Sequence, residues 1–161
     1  MKNIGVISDT HVPAAARALP SRVVAAFAGV DMILHAGDIV DMSVLDELEV
    51  VAPVKAVRGN MDSGESANLP DKRIIEIGNI KIGLIHGWGA PGDLPLRARN
   101  LFDESVSCVV FGHSHQPFNS SVAGALMFNP GSPTDRRFAP FFSVGILTLN
   151  GKRVTGEIIR L

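Results

Sequence analysis

Three short apolar runs in residues 1–60 decide the fold: NIGVISDTH at residues 3–11, MILHAGD at residues 32–38 and VKAVRGN at residues 54–60. Each run is rich in β-branched residues and ends abruptly in small or polar residues, which is typical of a buried strand. Between them, residues 21–29 have helical composition after Pro20, and a helix through residues 45–48 could be capped by Asp41 or Ser43. This alternation predicts a parallel sheet covered on both faces.

Beyond residue 60 the pattern changes to antiparallel pairs. Residues 73–77 and 81–85 flank Gly78-Asn79 and predict a hairpin, and two more hairpins are expected around residues 123–125 and 150–151. A helix is expected within residues 91–104 and a strand at residues 106–111, with the last hairpin joining 143–149 to 153–159. The prediction is an α/β fold of two packed mixed sheets flanked by helices, in a single domain over residues 1–161.

Composition narrows the classes of function. The 161 residues are 46% apolar and 19% charged, with a net charge of -1, so no extended nucleic-acid surface is expected. No segment has the length or apolarity of a membrane span or a signal sequence. The one cysteine, Cys108, lies in an apolar run and is predicted to be buried. A reducing, cytoplasmic location is the simplest expectation.

Polar side chains collect just after the predicted strands. In open α/β sheets, ligands bind beyond the carboxyl ends of the strands. Carboxylate, carboxamide and imidazole groups are all metal ligands. Residues of these types follow five of the predicted strands, namely Asp9, His11, Asp38, Asn60, His86, His113 and His115.

Spacing supports a shared site for these residues. Glycine stands beside four of the groups and lets ligands approach closely without Cβ collisions. In each of the pairs Asp9/His11 and His113/His115 one residue intervenes, so both members are expected to point to one side of an extended segment.

The roles of several other residues allow two interpretations. The fifth histidine, His35, is interpreted as structural, or as a partner that holds Asp38 or a neighbouring loop. Arg58 could reach a phosphate or be solvated, and Trp88 could line a substrate entrance, although covering the core is favoured. Phe138, with Phe141 and Phe142, belongs either to the core or to a subunit contact, which leaves a homo-oligomer open.

The ordered motifs resemble those of the calcineurin-like metallophosphoesterases. The match is closest to the small single-domain phosphodiesterases of that family, and Asn129-Pro130-Gly131-Ser132 resembles the loop that follows the last motif. The motifs that carry the resemblance are Asp9-Thr10-His11, Gly37-Asp38, Gly59-Asn60, His86-Gly87 and Gly112-His113-Ser114-His115.

The resemblance implies a β-sandwich and a role for each motif residue. Asp38 would bridge two divalent metal ions, and Asp38, Asn60 and His86 are the candidate catalytic residues. One ion would be held by Asp9, His11 and His115, and the other by Asn60, His86 and His113. Many family members carry a histidine after the motif asparagine as general acid, but here that position is Met61, which cannot donate a proton.

These residues predict a metal-dependent phosphodiesterase acting on a small phosphoester substrate. Two cations about 3.5–4 Å apart can activate a bridging hydroxide for in-line attack on phosphorus. Because Met61 is no acid, diesters with good leaving groups, such as aryl or nucleotide esters, are the expected substrates. Manganese is expected, with iron, cobalt, nickel or zinc as alternatives. The competing prediction is a catalytically weak metal-binding scaffold of the same fold that binds other proteins.

Overall fold

The computed structural model describes residues 1–161 and contains ten strands, three α-helices and one short 3-10 helix at Ser66–Asn68. The first half alternates strands and helices, as β1 (Lys2–Ile7), α1 (Ser21–Ala26), β2 (Met32–His35), α2 (Ser43–Glu49) and β3 (Val54–Ala56). The second half comprises β4 (Lys72–Ile77), β5 (Ile80–Ile85), α3 (Leu94–Arg99), β6 (Cys108–Val110), β7 (Phe118–Val122), β8 (Ala125–Asn129), β9 (Ser143–Asn150) and β10 (Arg153–Arg160). None of these helices has the length and apolarity that a membrane span requires.

The strands form two five-stranded mixed sheets. The first has the order β10-β9-β1-β2-β3, and the second has the order β4-β5-β6-β8-β7. β1, β2 and β3 are parallel, as are β5, β6 and β8, while the outer hairpins pair antiparallel. Parallel strands end at a common edge, so the loops after six strands are available to build one site.

Alternation along the strands creates three apolar layers. Ile4 and Val6 of β1 pack between the sheets against residues such as Leu84 and Phe128. The other face of β1 meets α1 and the residue that follows it, Phe27, whose ring would lie 2.9 Å from a Cβ on Gly5. The central layer also buries Cys108 completely, as predicted, and α3 covers the outer face of the second sheet. The two packed mixed sheets flanked by helices match the predicted fold.

Two helices are shorter than predicted. The expected helix over residues 21–29 ends at Ala26, because the chain turns through Gly29 in a left-handed conformation (φ 81°). The expected helix within residues 91–104 covers only Leu94–Arg99. There the buried Arg99 donates from Nη1 to the carbonyl oxygens of Phe102 and Asp103, which stabilises a turn toward β6.

Candidate metal centre

The seven predicted ligands converge beyond the ends of β1, β2, β3, β5 and β6. Backbone hydrogen bonds join the loops, for example from Asp9 N–H to Gly37 O (3.0 Å) and from Gly112 N–H to His86 O (3.0 Å). The His11 and His115 Nε2 atoms lie 3.2 Å apart. Asn60 Oδ1 lies 3.1 Å from both His86 Nε2 and His113 Nδ1. The two carboxylates lie between these groups.

Asp9 has one satisfied and one unsatisfied carboxylate oxygen. Its Oδ2 accepts hydrogen bonds from Ser8 Oγ (2.7 Å) and His113 N–H (3.0 Å). Its buried Oδ1 makes no hydrogen bond, although His115 Nε2 is 3.4 Å away. A buried carboxylate oxygen without a hydrogen-bond donor costs free energy unless a cation binds it.

Asp38 also directs one carboxylate oxygen to a backbone N–H group and the other into the cluster. Its Oδ1 accepts the Met61 N–H at 2.7 Å, whereas its Oδ2 lies 3.6 Å from His11 Nε2 and 3.4 Å from His86 Nε2. Asp38 Oδ2 therefore lies between an imidazole of each predicted metal group. A ligand that bridges two ions would need this position.

The donor atoms fit divalent metal ions. The ligand atoms of Asp9, His11 and His115 all lie within 4.8 Å of one another, and so do those of Asp9, Asp38 and His86. Asp9 belongs to both groups because its Oδ1 lies 3.4 Å from His115 Nε2 and 4.0 Å from His86 Nε2. Mixed nitrogen and oxygen donors at this separation suit first-row metals.

Backbone carbonyls orient three of the four candidate histidines. His86 Nδ1 donates to Ala36 O (2.7 Å), His113 Nε2 donates to Gly89 O (3.1 Å), and His115 Nδ1 donates to Asp135 O. In the neutral ring the other nitrogen then carries a lone pair, and in each case it faces the cluster. Such hydrogen bonds fix the tautomer and orientation of metal-binding histidines.

The expectation of an extended backbone at the paired motifs is wrong. Asp9 and His11 have φ angles of 55° and 45°, and His113 and His115 have φ angles of 69° and 59°. Asp38 also adopts this left-handed region, with φ 56°. These residues converge through tight turns, not through strand alternation. Non-glycine residues in this region carry strain, which clusters at functional sites.

Close approach requires glycine at two of the motifs. A Cβ on Gly37 would lie 2.8 Å from both Gly59 N and His86 Nδ1. A Cβ on Gly59 would overlap the Asp38 carboxylate. The predicted reason for glycine, close packing of ligands, agrees with these distances.

The groups of the cluster shift one another's pKa values. Burial alone would raise the pKa of Asp9, but the His115 and His86 imidazoles outweigh it and lower this pKa to about 2. Burial would lower the pKa of His86, but Asp38 and Asp9 outweigh it and raise this pKa to about 9. The cluster therefore holds its carboxylates ionised and attracts positive charge.

His35 has the structural role that was favoured for it. It is fully buried, and its Nδ1 accepts the Gly37 N–H at 3.2 Å while Nε2 lies 3.1 Å from Thr10 Oγ1. Nε2 therefore carries the proton of the neutral ring and donates to Thr10. Burial lowers the pKa of His35 to about 4, so the ring stays neutral. His35 joins the loops that carry Asp9 and Asp38.

Asp62 is an important residue that the sequence did not single out. Its Oδ2 accepts N–H groups from Asp38 (2.9 Å) and Gly59 (2.7 Å). Its Oδ1 accepts N–H groups from Ile39 (2.9 Å) and Val40 (2.8 Å). One carboxylate thus ties the loop after β2 to the loop after β3. The only sequence signal was its place two residues after Asn60.

The loop after β8 holds the motif loops together. Asn129 Nδ2 donates to Gly112 O (2.9 Å), Ser132 Oγ donates to Asp9 O (2.7 Å), and Thr134 Oγ1 donates to Thr10 O (2.6 Å). The resemblance had indicated this loop through residues 129–132. Its hydrogen bonds show that it fixes the backbone on both sides of the cluster.

Two cavities open beside the cluster. The larger, about 470 Å³, is lined by Arg58, Asn60, Asp62, Asp71, His86 and Trp88 among others, and we call it the Trp88 cavity. The smaller, about 370 Å³, is lined by His11, Met61, Thr134 and Arg137 among others. Trp88 is 49% exposed, so the favoured interpretation that it covers the core is wrong.

The other residues for which the sequence allowed two interpretations lie at the surface. Arg58 is exposed and its Nε donates to Asp71 Oδ1 at 2.6 Å. Phe138 is 91% exposed and Phe142 39% exposed, so neither belongs to the core. A subunit contact through this region stays a prediction.

Comparison with known proteins identifies the family. The calcineurin-like phosphoesterase superfamily domain matches residues 1–152. The chain belongs to this superfamily. A probable metallophosphoesterase of Methanothermobacter thermautotrophicus is 42% identical over 158 residues, covering 98% of this chain and 91% of that protein. The family resemblance read from the motifs is confirmed.

Solved structures agree with the fold. Wild-type Vps29 of Entamoeba histolytica, crystallised with Zn²⁺, has a TM-score of 0.75 and 27% identity, covering 98% of each chain. A structure described as a novel archaeal phosphodiesterase has a TM-score of 0.72 and 24% identity, covering 98% of this chain and 99% of that one. The second likeness concerns the fold alone.

Proposed function

We propose that this metallophosphoesterase is a two-metal phosphodiesterase that hydrolyses diesters with good leaving groups. The position of Asp38 Oδ2, between His11 of one ligand group and His86 of the other, carries the proposal. A bridging carboxylate fixes the separation of two cations and offsets their repulsion. Two divalent ions held here would supply Lewis acidity and an activated water for in-line displacement.

The chain's own residues would bind and orient the substrate. Asn60 is exposed, and its Oδ1 faces His86 and His113, which leaves its amide NH₂ free to donate to a phosphoryl oxygen. The hydrogen bond from His86 Nδ1 to Ala36 O orients the His86 ring. The left-handed turns fix Asp9 and Asp38 before substrate arrives, which limits reorganisation during the reaction.

The preference for diesters rests on Met61 and on the two cavities. Met61 is half exposed, lines the smaller cavity and offers no proton to a leaving group. One cavity shares Asn60 and His86 with the cluster and the other shares His11. A diester has two substituents to place, and two separate cavities suit it better than they suit a monoester.

We propose manganese as the metal. Manganese agrees with the mixture of carboxylate, carboxamide and imidazole donors, although iron, cobalt, nickel and zinc suit the same donors. The Zn²⁺ in the Vps29 structure belongs to that protein, which is 27% identical to this chain.

A metal-binding scaffold is the second candidate. The segment of residues 138–142 favours it, because it exposes two aromatic side chains, Phe138 and Phe142, and several exposed apolar groups on one segment are suited to protein contacts. The complete set of candidate ligands favours the enzyme, since a scaffold has no need of all seven.

Hydrolysis of an aryl diester and of the matching monoester distinguishes the candidates. Metal-stripped protein with added Mn²⁺ should cleave bis(p-nitrophenyl) phosphate faster than p-nitrophenyl phosphate. Asp38→Ala should abolish the activity, whereas Asp31→Ala, an exposed acidic control paired with Lys2 and outside both cavities, should keep most of it. Folded protein that cleaves neither ester with any divalent metal would favour the scaffold.

A further inference from the structure

The Trp88 cavity has features that the proposed chemistry does not use. Trp88 follows Gly87 and the candidate ligand His86, and its large apolar side chain is 49% exposed. A tryptophan in a cavity beside a reactive centre is suited to stacking on a flat ring. No metal-binding or acid-base role is available to it.

The backbone around Trp88 is held in place. Arg97 Nη2 donates to the carbonyl oxygens of Trp88 (2.8 Å) and Ala90 (2.5 Å), and the next residue, Gly89, accepts from His113. The segment that carries Trp88 is therefore attached both to α3 and to the candidate centre. A backbone held in this way limits the entropy that is lost when a ligand stacks on the ring it carries.

The charges in the cavity favour an uncharged substituent. Arg58 is paired with Asp71 at 2.6 Å, so this pair adds no net charge. Asp62 is negative, and its oxygens are occupied by four backbone N–H groups. No unpaired cation lines the cavity to bind a second phosphate. The pair still offers both donors and acceptors to the edge of a planar group.

The volume sets the size of that substituent. At about 470 Å³ the cavity lies within the roughly 300–1,000 Å³ typical of small-ligand sites. It is large enough for a nucleoside or an aryl group.

We propose that the Trp88 cavity binds the aromatic substituent of the phosphodiester, with Trp88 stacked on its ring. The proposal rests on the proposed function, because the phosphate must sit on the candidate centre for its substituent to reach the cavity. Nucleosides and simple aryl groups share this chemistry. Trp88 then determines specificity without taking part in bond cleavage.

Fluorescence offers a direct test, because Trp88 is the only tryptophan in the chain. Zn²⁺-loaded protein would be titrated with adenosine monophosphate, phenyl phosphate and ribose 5-phosphate. The two aromatic ligands should quench Trp88 emission, and ribose 5-phosphate should not. Tighter binding of adenosine monophosphate than of phenyl phosphate would indicate a nucleoside, and equal binding any aromatic group.

Calorimetry with variants separates stacking from phosphate binding. Trp88→Ala should lose the preference for adenosine monophosphate over ribose 5-phosphate, a loss of roughly 5- to 100-fold if stacking is of ordinary strength. Trp88→Phe should retain most of the preference. Phe138→Ala, which removes an exposed ring outside both cavities, should retain all of it.

Equal wild-type binding of adenosine monophosphate and ribose 5-phosphate would overturn the proposal. So would a Trp88→Ala variant that keeps the preference. The diester assay reports separately on the proposed function: turnover without aromatic preference would refute the Trp88 subsite alone. Aromatic preference without turnover would refute the phosphodiesterase and leave a nucleotide-binding site.

Discussion

Replacing Asp62 with asparagine should separate the loops that carry Asp38 and Asn60. The carboxylate of Asp62 accepts four backbone N–H groups, two on each oxygen. An asparagine side chain has one acceptor oxygen and one NH₂ group, so two of the four N–H groups would face a donor. The substitution changes almost no volume, which makes hydrogen bonding the main variable.

The expected cost follows from those two lost bonds. A buried donor left without a partner costs about 1–3 kcal/mol, which gives about 2–6 kcal/mol for two. Asp62 is only half-buried, so water can solvate the unpaired N–H groups in part, and we expect the lower half of that range. Metal affinity should fall roughly 10- to 100-fold, as it does when groups that orient metal ligands are removed.

Urea unfolding and Mn²⁺ titration measure the two effects. Asp71→Asn is the matched control, because its exposed pair with Arg58 should contribute no more than about 1 kcal/mol. If Asp62→Asn unfolded like the control and bound Mn²⁺ like the wild type, Asp62 would have no positioning role.

Three further changes probe the cluster. Metal-stripped protein should lose about 3 kcal/mol of stability as pH rises from 6.5 to 9. The pKa of His86 is raised to about 9, so the folded protein keeps this proton over a pH range in which the unfolded chain has lost it. Equal urea midpoints at pH 6.5 and at pH 9 would contradict this prediction. Met61→His should supply a general acid and so raise kcat/KM for alkyl diesters by roughly 100-fold relative to that for aryl diesters. An unchanged ratio of the two kcat/KM values would argue that the missing acid at position 61 does not set the substrate preference. Gly59→Ala should weaken Mn²⁺ binding and lower the free energy of unfolding in urea by about 1–3 kcal/mol, because the new Cβ would overlap the Asp38 carboxylate. The control is Gly92→Ala, whose Cβ would meet nothing within 4 Å and which should match the wild type.

Much of the fold could be predicted because strand ends leave strong local signals. The apolar runs that became β1, β2 and β3 each stop at small or polar residues, and the same signal placed Asp9, Asp38 and Asn60 at one edge. Helix ends were harder to predict. The turn after Arg99 depends on hydrogen bonds to Phe102 and Asp103 that composition does not reveal.

The geometry of the cluster could be predicted only in part. Which residues meet followed from their order along the chain, but the left-handed turns at Asp9 and His113 depend on tertiary contacts. Asp62 was missed for the same reason, since its four N–H donors come from a neighbouring loop and from Gly59. The exposure of Trp88 also depends on how its loop is attached to Arg97.

Metal stoichiometry tests the central claim most directly. Metal-stripped protein would be titrated with Mn²⁺ while bound metal and hydrolysis of bis(p-nitrophenyl) phosphate are followed in the same sample. The two-metal account predicts two bound ions per chain, with activity appearing as the second site fills. Full activity with one bound ion, or two bound ions with no diester cleavage, would contradict it.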